Sequence, residues 1–350
     1  MCTAISFYKD SLYFGRNMDI EYHFGEKVAV MPRDFSLQTK CAGVLRTRYA
    51  VIGMANVTDG YPLYADAMNE KGLCAAGLNF PSNAAYAAGA VGGKRTLAPY
   101  ELIPYLLGSC ADLAEAKLFL AGLELADIPF VPSLLVAPLH WMIADASGSI
   151  AVERTEEGLR IFENEFGVLT NNPPFPFHRE NVRQYLHLSA ANPEARRLSS
   201  SAALRAAQTA ERVTKNAAPR AREGADGKLS PFSQGAGGIG LPGDFSSASR
   251  FVKTWFCREN SICASEAASC VSQVFHVLGA VAMPRGAVLA PDGRPDMTIY
   301  ACCMDAANQT YYYKTYDGGT VCVALNAARK NADGLCVFPL RSEPNIVTEG

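Results

Sequence analysis

Strand-forming segments come in blocks along this chain, and helical sequence separates the blocks. Predicted strands lie at 3–8, 11–16, 27–31, 49–54, 72–80, 140–146, 149–154, 158–163, 297–304, 309–316 and 320–325. Predicted helices lie at 98–121, 178–188 and 250–282. Strands that follow one another in blocks pair into antiparallel sheets, with the helices segregated from them. Several strands are apolar on both faces, so we expect an α+β protein, a four-layer αββα sandwich of two antiparallel sheets.

The overall composition is that of a globular protein, and its near-neutral charge does not indicate a highly charged binding partner. The 350 residues are 49% hydrophobic and 19% charged, with a formal net charge of −2. This balance lacks the basic footprint of a nucleic-acid-binding protein. No apolar run is long enough to span a bilayer, and Asp10, Arg16 and Asp19 interrupt any secretory signal at the start. We therefore expect a cytoplasmic protein that uses neither nucleic acid nor a membrane.

The eleven cysteines do not form a metal-binding or redox pattern. None is spaced as C-x-x-C, and the five histidines include no H-E-x-x-H. Most sit in apolar surroundings, where a free cysteine behaves as a small buried hydrophobe. The sequence therefore predicts free thiols in a reducing compartment and no metal site.

One segment, residues 190–228, differs in composition from the rest. It is rich in Ala, Ser and Arg, and its Lys and Arg outnumber its Asp and Glu by 8 to 4. We expect a single domain over residues 2–350, with this segment as a polar excursion from it. The excursion is either a solvated surface segment or an arm that contacts another subunit.

Cys2 follows the initiator methionine in the opening stretch MCTAIS. Removal of Met1 would leave Cys2 with a thiol and a free α-amine. The thiolate is a nucleophile, and an α-amine with a pKa near 7.7–8.0 can accept the thiol proton. One residue would then supply both nucleophile and base. The alternative is that a small residue simply occupies this position in a strand.

Arg16 and Asp19 end the second strand of the predicted N-terminal hairpin, which runs back beside Cys2. There Arg16 could favour the thiolate and Asp19 could hold the α-amine. A surface salt bridge is the alternative interpretation.

Asn79 and Asn171 each follow an apolar strand and shortly precede a proline. Asparagine at such a position is commonly a turn former, but two such residues could also donate to a developing oxyanion. Arg250 begins a helical stretch, and the simple interpretation of this residue is a solvent-exposed arginine at the start of a helix.

Six stretches together resemble one family, the choloylglycine hydrolases. They are MCTAISF, YFGRNMD, YADAMNEKGLCAAGLNFP, LHWMIAD, GVLTNNPPF and GLPGDFSSASRF. This family contains bile salt hydrolases and penicillin V acylases and belongs to the N-terminal nucleophile superfamily. The resemblance runs from residue 2 to about residue 325.

The resemblance implies hydrolysis of a carboxamide without a cofactor. It implies that Cys2 is the nucleophile, flanked by Arg16 and Asp19. It further implies that Asn79 and Asn171 form the oxyanion hole and that Arg250 lies near the nucleophile. A homotetramer is implied as well, although the 190–228 segment looks longer than in the family.

Conjugated bile acids, with glycine or taurine as the leaving group, are the substrates that the resemblance favours. The steroid pocket of the family matches Met18, Ile20, Ala65, Phe130 and Leu134, for which core packing is the alternative. Penicillin V is the rival substrate, but acylases of that branch tend to carry Tyr where this chain has Asn79. A catalytically inactive binding or assembly protein, or a thiol-redox role for Cys2, are the alternatives of another class.

Overall fold

The computed structural model describes residues 1–197, 228–344, 346 and 349. The chain divides into two compact units, Met1–Arg183 with Pro242–Gly350, and Gln184–Leu241. Most of the predicted 190–228 excursion, residues 198–227, lies outside the described residues.

The described strands are mostly short and are numbered in chain order. They are β1 (Cys2–Tyr8), β2 (Leu12–Ile20), β3 (Glu26–Met31), β4 (Ser36–Gln38), β5 (Val44–Arg46), β6 (Val51–Thr58), β7 (Tyr61–Asn69), β8 (Cys74–Asn79), β9 (Arg95–Leu97), β10 (Leu123–Leu125), β11 (Leu139–Asp145), β12 (Gly148–Thr155), β13 (Gly158–Glu163), β14 (Val168–Leu169), β15 (Arg196–Arg197), β16 (Lys228–Leu229), β17 (Val288–Leu289), β18 (Pro295–Asp305), β19 (Thr310–Thr315), β20 (Thr320–Ala324) and β21 (Cys336–Pro339).

The described α-helices are α1 (Leu102–Ser109), α2 (Leu113–Ala121), α3 (Phe175–Val182), α4 (Ser247–Glu259), α5 (Ala267–Gly279) and α6 (Ala327–Lys330). Side chains cap the start of three of them, and ahead of α6 the side chain of Asn326 accepts a hydrogen bond from the Arg329 amide. Asp112 accepts a hydrogen bond from the Glu115 amide ahead of α2, and Ser246 accepts one from the Ser249 amide ahead of α4. None of the helices in the described ranges is long and apolar enough to cross a membrane.

Two large antiparallel sheets form the first unit. One has the order β14-β1-β2-β18-β19-β20, with β17 paired to β18. The other has the order β13-β12-β11-β8-β7-β6-β3-β21. Their inner faces meet, as Ser6 on β1 contacts Ser149 on β12 and Tyr300 on β18 contacts Asp66 on β7.

Helices cover the outer face of each sheet. Helix α1 packs on β6, β7 and β8, and its core includes Leu106 and Trp141, both almost fully buried. Helix α4 packs on β1 and β14, and α5 packs on β2 and β18. Gly15 lets α5 approach closely, since a Cβ there would lie 2.7 Å from Val274. The αββα sandwich expected from the strand blocks is confirmed.

Several predicted elements differ in detail. The predicted helix 98–121 is interrupted at 110–112, and the predicted helix 250–282 is interrupted at 260–266. The helix expected at 178–188 is α3 and a short 3-10 turn that ends at Tyr185. Ten of the described strands were not predicted: β4, β5, β7, β9, β10, β14, β15, β16, β17 and β21. Eight of these are only two or three residues long, whereas β7 has nine residues and β21 has four. Pro62 and the polar Asp66 interrupt the apolar pattern of β7, which explains why the pattern missed it.

Candidate active site

The N-terminal hairpin brings three of the candidate residues together. Strands β1 and β2 pair in a register that sets Cys2 opposite Met18, so Arg16 and Asp19 lie within two positions of that pair. Cys2 is buried, and its backbone N–H donates to Oδ1 of Asn171 at 2.9 Å. The neighbourhood expected from the sequence is therefore present in the structure.

Arg16 holds the sulfur of Cys2 from inside the sandwich. The side chain is fully buried, and its Nη2 donates to Sγ of Cys2 at 2.8 Å. A charge-assisted hydrogen bond of this kind stabilises negative charge on the sulfur. Burial favours the neutral guanidine, but the facing acidic groups, Cys2 foremost, raise the pKa of Arg16 above its ordinary value. Arg16 is therefore a fixed positive charge beside the thiol.

The other terminal nitrogen of Arg16, Nη1, forms hydrogen bonds at a β-bulge in the opposite sheet. The register between β6 and β7 skips Ala65, and the pairing of β7 with β8 ends at Asp66 opposite Ala76. Nη1 of Arg16 donates into this gap, to the carbonyls of Ala65 and Gly77 at 3.0 Å each. Bulges commonly redirect groups beside functional sites, and here one frees a carbonyl for a buried guanidinium.

Asp19 has one satisfied and one unsatisfied carboxylate oxygen. Oδ1 accepts a hydrogen bond from the Thr298 hydroxyl at 2.5 Å, while Oδ2 is buried without a partner among the described residues. Burial raises the pKa of the Asp19 carboxyl above its ordinary value. Met1 lies alongside, and its carbonyl accepts from the Asp19 amide at 2.8 Å. A buried acceptor thus lies next to the N-terminus of the chain.

Arg250 ties the N-terminal strand to Asn171. Its buried guanidinium donates to the carbonyl of Cys2 and the hydroxyl of Thr3 at 2.5 Å, and to Oδ1 of Asn171 at 2.6 Å. Burial lowers the pKa of Arg250 below its ordinary value. The alternative of a solvated helix-start arginine is wrong for this residue.

The amides of Asn171 and Asn79 face the same gap. Nδ2 of Asn171 donates to the carbonyl of Asn79 at 2.6 Å, while the Asn79 side chain is exposed. The Phe80 amide donates to Pro138 on the β11 side. Alternate amides of a strand point to opposite sides, so the Asn79 N–H points away from β11, toward the side where β7 pairing has ended.

The five predicted pocket residues lie in two places. Sδ of Met18 is 3.9 Å from Sγ of Cys2, Ile20 ends β2, and Ala65 is the bulge residue. Phe130 and Leu134 lie in the loop before β11, where the Phe130 ring packs 5.5 Å from the rings of Tyr61 and Tyr100. Leu134 is half exposed. Among the described contacts of hydrogen-bonding and ring type, neither of these two loop residues reaches Cys2 or Arg16.

The sequence did not single out several supporting residues. Ser247 accepts from the Asn171 amide at 2.9 Å, and His178 donates from Nε2 to the Asn171 carbonyl at 3.0 Å. Thr298 and Asp66 reach the site from distant strands. Ser247 and Asp66 do fall within the stretches SSASRF and YADAM, which carry the family resemblance, but nothing in those stretches indicates their partners.

Cys2 thus presents a buried thiol beside the Arg16 guanidinium, at the start of an αββα sandwich. The family model for linear amide C–N hydrolases of the choloylglycine hydrolase family matches residues 2–213 and 211–338. The chain therefore belongs to the choloylglycine hydrolase family.

Named relatives share most of their length with this chain. It is 40% identical to a bile salt hydrolase/transferase of Lactiplantibacillus plantarum, over 98% of each chain. It is 36% identical to a conjugated bile acid hydrolase of Lactobacillus acidophilus, over 89% of this chain and 92% of that one.

Solved structures agree with this assignment. A variant of the conjugated bile acid hydrolase of Clostridium perfringens matches with a TM-score of 0.86 and 33% identity, over 100% of both chains. A penicillin V acylase of Agrobacterium tumefaciens matches with a TM-score of 0.70 and 19% identity, over 97% of this chain and 92% of that one. The latter likeness reflects the shared fold.

Proposed function

We propose that this protein hydrolyses the amide bond of glycine- or taurine-conjugated bile acids, with Cys2 as the nucleophile. The observation that carries the proposal is the 2.8 Å hydrogen bond from the buried Arg16 to Sγ of Cys2, in a chain of this family. The relatives that share most of its length carry the names of bile salt and conjugated bile acid hydrolases.

Activation follows from removal of Met1. The nitrogen of Cys2 would become an α-amine that keeps its acceptor, Oδ1 of Asn171, 2.9 Å away. The unpartnered Oδ2 of Asp19 is available to the additional N–H groups of that amine. The amine then takes the thiol proton, because its ordinary pKa of about 7.7–8.0 lies near neutrality. Cys2 thereby becomes a thiolate held by Arg16.

The thiolate attacks the amide carbonyl of the conjugated bile acid and forms a C–S bond. The resulting oxyanion accepts hydrogen bonds from Nδ2 of Asn171 and the backbone N–H of Asn79, which face the same gap. The ammonium of Cys2 protonates the leaving nitrogen as the C–N bond breaks. Water, deprotonated by the same amine, then hydrolyses the thioester. No cofactor takes part in these steps.

The apolar residues beside the thiol suit a steroid. Met18, Ile20 and Ala65 would form the wall next to Cys2, and Phe130 and Leu134 would cover the steroid from the loop before β11. A pocket that is mostly apolar with a few polar anchors is what a steroid substrate requires.

We also propose a cytoplasmic location and a homotetrameric assembly. All eleven cysteines are free thiols, which suits a reducing compartment. The assembly rests on the family resemblance, and multi-angle light scattering tests it. The single domain over 2–350 is tested by limited proteolysis: a cut within 190–228 should leave the unfolding midpoint unchanged.

Amine release from glycocholate, taurocholate and penicillin V by one purified sample tests the function. Intact mass is recorded on that sample to establish whether Met1 is gone. We expect bile salts to be cleaved faster than penicillin V and Cys2→Ala to abolish cleavage. The matched control is Cys322→Ala, which alters an exposed cysteine on β20. Faster cleavage of penicillin V would make the protein an acylase, and no cleavage by Met-free protein would overturn the substrate assignment.

A further inference from the structure

Behind Arg16 lies a buried carboxylate that the catalytic steps do not use. Oδ2 of Asp66 is 3.6 Å from Nη1 of Arg16, and both side chains are fully buried between the sheets. Two tyrosine hydroxyls donate to this carboxylate: Tyr300 to Oδ2 and Tyr311 to Oδ1, each at 2.6 Å. The thiol of Cys302 is 3.4 Å from Oδ1. Four side chains from three strands thus surround one buried charge.

The carboxylate and the thiol compete for one guanidinium. Arg16 donates to Sγ of Cys2 from Nη2, while the same cation faces Asp66 from Nη1. A carboxylate that already accepts two short hydroxyl hydrogen bonds carries less uncompensated charge than a bare one. The two tyrosine hydroxyls therefore supply hydrogen bonds that Arg16 would otherwise have to donate to Asp66. Nη1 of Arg16 donates instead to the carbonyls of Ala65 and Gly77.

We propose that Tyr300 and Tyr311, acting through Asp66, set how much of the positive charge of Arg16 stabilises the Cys2 thiolate. They are positioning residues, since neither hydroxyl touches the sulfur. The inference deepens the proposed function and rests on it only in taking Cys2 as the reactive thiol. It concerns ionisation of that thiol and not the identity of the substrate.

Removal of either tyrosine hydroxyl should make ionisation of the Cys2 thiol less favourable. In Tyr300→Phe or Tyr311→Phe, Asp66 loses one donor and draws more strongly on Arg16, which then offers less charge to Cys2. In Asp66→Asn, the competing negative charge is gone and Arg16 faces the sulfur alone. The two kinds of substitution should therefore shift thiol ionisation in opposite directions.

The experiment measures the pH dependence of Cys2 alkylation by iodoacetamide, without any substrate. The N-terminal peptide is quantified by mass spectrometry, so the other ten cysteines do not interfere. We expect the pH midpoint of Cys2 alkylation to rise by about half a unit or more in each Tyr→Phe variant and to fall in Asp66→Asn. The matched control is Tyr313→Phe on the same strand as Tyr311, whose hydroxyl instead accepts from the Arg341 amide.

Unchanged midpoints in both Tyr→Phe variants would overturn the inference, as would an equal rise in Tyr313→Phe or a rise in Asp66→Asn. Should Asp66→Asn fail to fold, which thermal unfolding reports, the two Tyr→Phe variants still decide the question. The measurement is independent of the proposed function, because alkylation needs no hydrolysis. If bile salts are not cleaved yet the midpoints shift as expected, the substrate assignment fails and this inference stands.

Discussion

The side-chain amide of Asn171 combines two tasks at the scale of a single residue. Its oxygen accepts from the Cys2 nitrogen and from Arg250, and its nitrogen donates into the gap where we propose that the oxyanion forms. We expect Asn171→Ala to lower kcat by 10²–10³-fold, about 2.7–4 kcal/mol of barrier, because one preorganised donor is lost. Steady-state hydrolysis of glycocholate measures this loss.

The neighbouring residue offers a matched control for that substitution. Asn172 donates to Asn83 at 2.6 Å and has no hydrogen bond to Cys2, Arg250 or Asn79 among the described contacts. Asn172→Ala should leave kcat within about fivefold of the unaltered protein. If Asn171→Ala also stayed within fivefold, Asn171 would not be the oxyanion donor.

Whether the sequence could predict that these residues lie together depends on how far apart they are along the chain. Cys2, Arg16 and Asp19 share one hairpin, whose register follows from a short turn, so their proximity was predictable. Thr298 reaches Asp19 across 279 positions of sequence, and no periodicity carries that information. The role of Asn79 was only partly accessible, since its side chain is exposed and its backbone N–H is the group that faces the gap.

At the scale of elements, the bulge in β7 determines where Arg16 can be held. Gly53 on β6 lies beside it, and a Cβ there would be 2.1 Å from the Asp66 carbonyl and 2.4 Å from the Ala67 Cβ. We expect Gly53→Ala to destabilise the protein by about 1–3 kcal/mol, because both neighbours belong to the backbone or to a short side chain and cannot move aside. Urea denaturation measures the free energy of unfolding.

Gly89→Ala serves as the control, since no atom lies within 4 Å of a Cβ at that loop position. It should change the free energy of unfolding by less than about 0.5 kcal/mol. A similarly small change in Gly53→Ala would mean that β6 and β7 separate easily at the bulge and do not fix Arg16.

The same bulge explains why this region was the weakest part of the sequence-based prediction. A half-buried strand is recognised in sequence by the alternation of apolar and polar residues. The extra residue at Ala65 reverses this alternation halfway along β7. The flanking strands β6 and β8 contain uninterrupted apolar runs, VIGMA and CAAGL, and both were predicted, although β6 extends to Thr58, four residues beyond its predicted end. The strand that carries Asp66 was therefore the longest one that the pattern left out.

At the scale of the whole molecule, two histidines join three distant segments of the site. His140 stacks on Phe80, with ring centroids 4.2 Å apart, and lies 2.9 Å from the Thr170 carbonyl. His178 stacks on Phe251 at 4.7 Å and contacts the Asn171 carbonyl. His140 thus links the Thr170 carbonyl to Phe80, the residue after Asn79. His178 links the Asn171 carbonyl to Phe251, the residue after Arg250.

This arrangement makes the stability of the protein depend on pH. Burial lowers the pKa of His178 from its ordinary value of 6.5 to about 4. Between those values the unfolded chain binds a proton that the folded chain does not, so the free energy of unfolding falls as pH decreases. The contribution of His178 is complete above pH 6.5, and about 2 kcal/mol of it should be lost between pH 7 and pH 5.

Urea denaturation of His178→Gln at pH 7 and pH 5, beside the unaltered protein, isolates this term. We expect the variant to be less stable at pH 7, because the contacts with Asn171 and Phe251 are disturbed, but to lose about 2 kcal/mol less on acidification. His187→Gln, which alters an exposed histidine, should retain the full pH dependence. An identical decrease in His178→Gln and the unaltered protein would show that other groups account for the acid sensitivity and that His178 does not stay neutral in the folded chain.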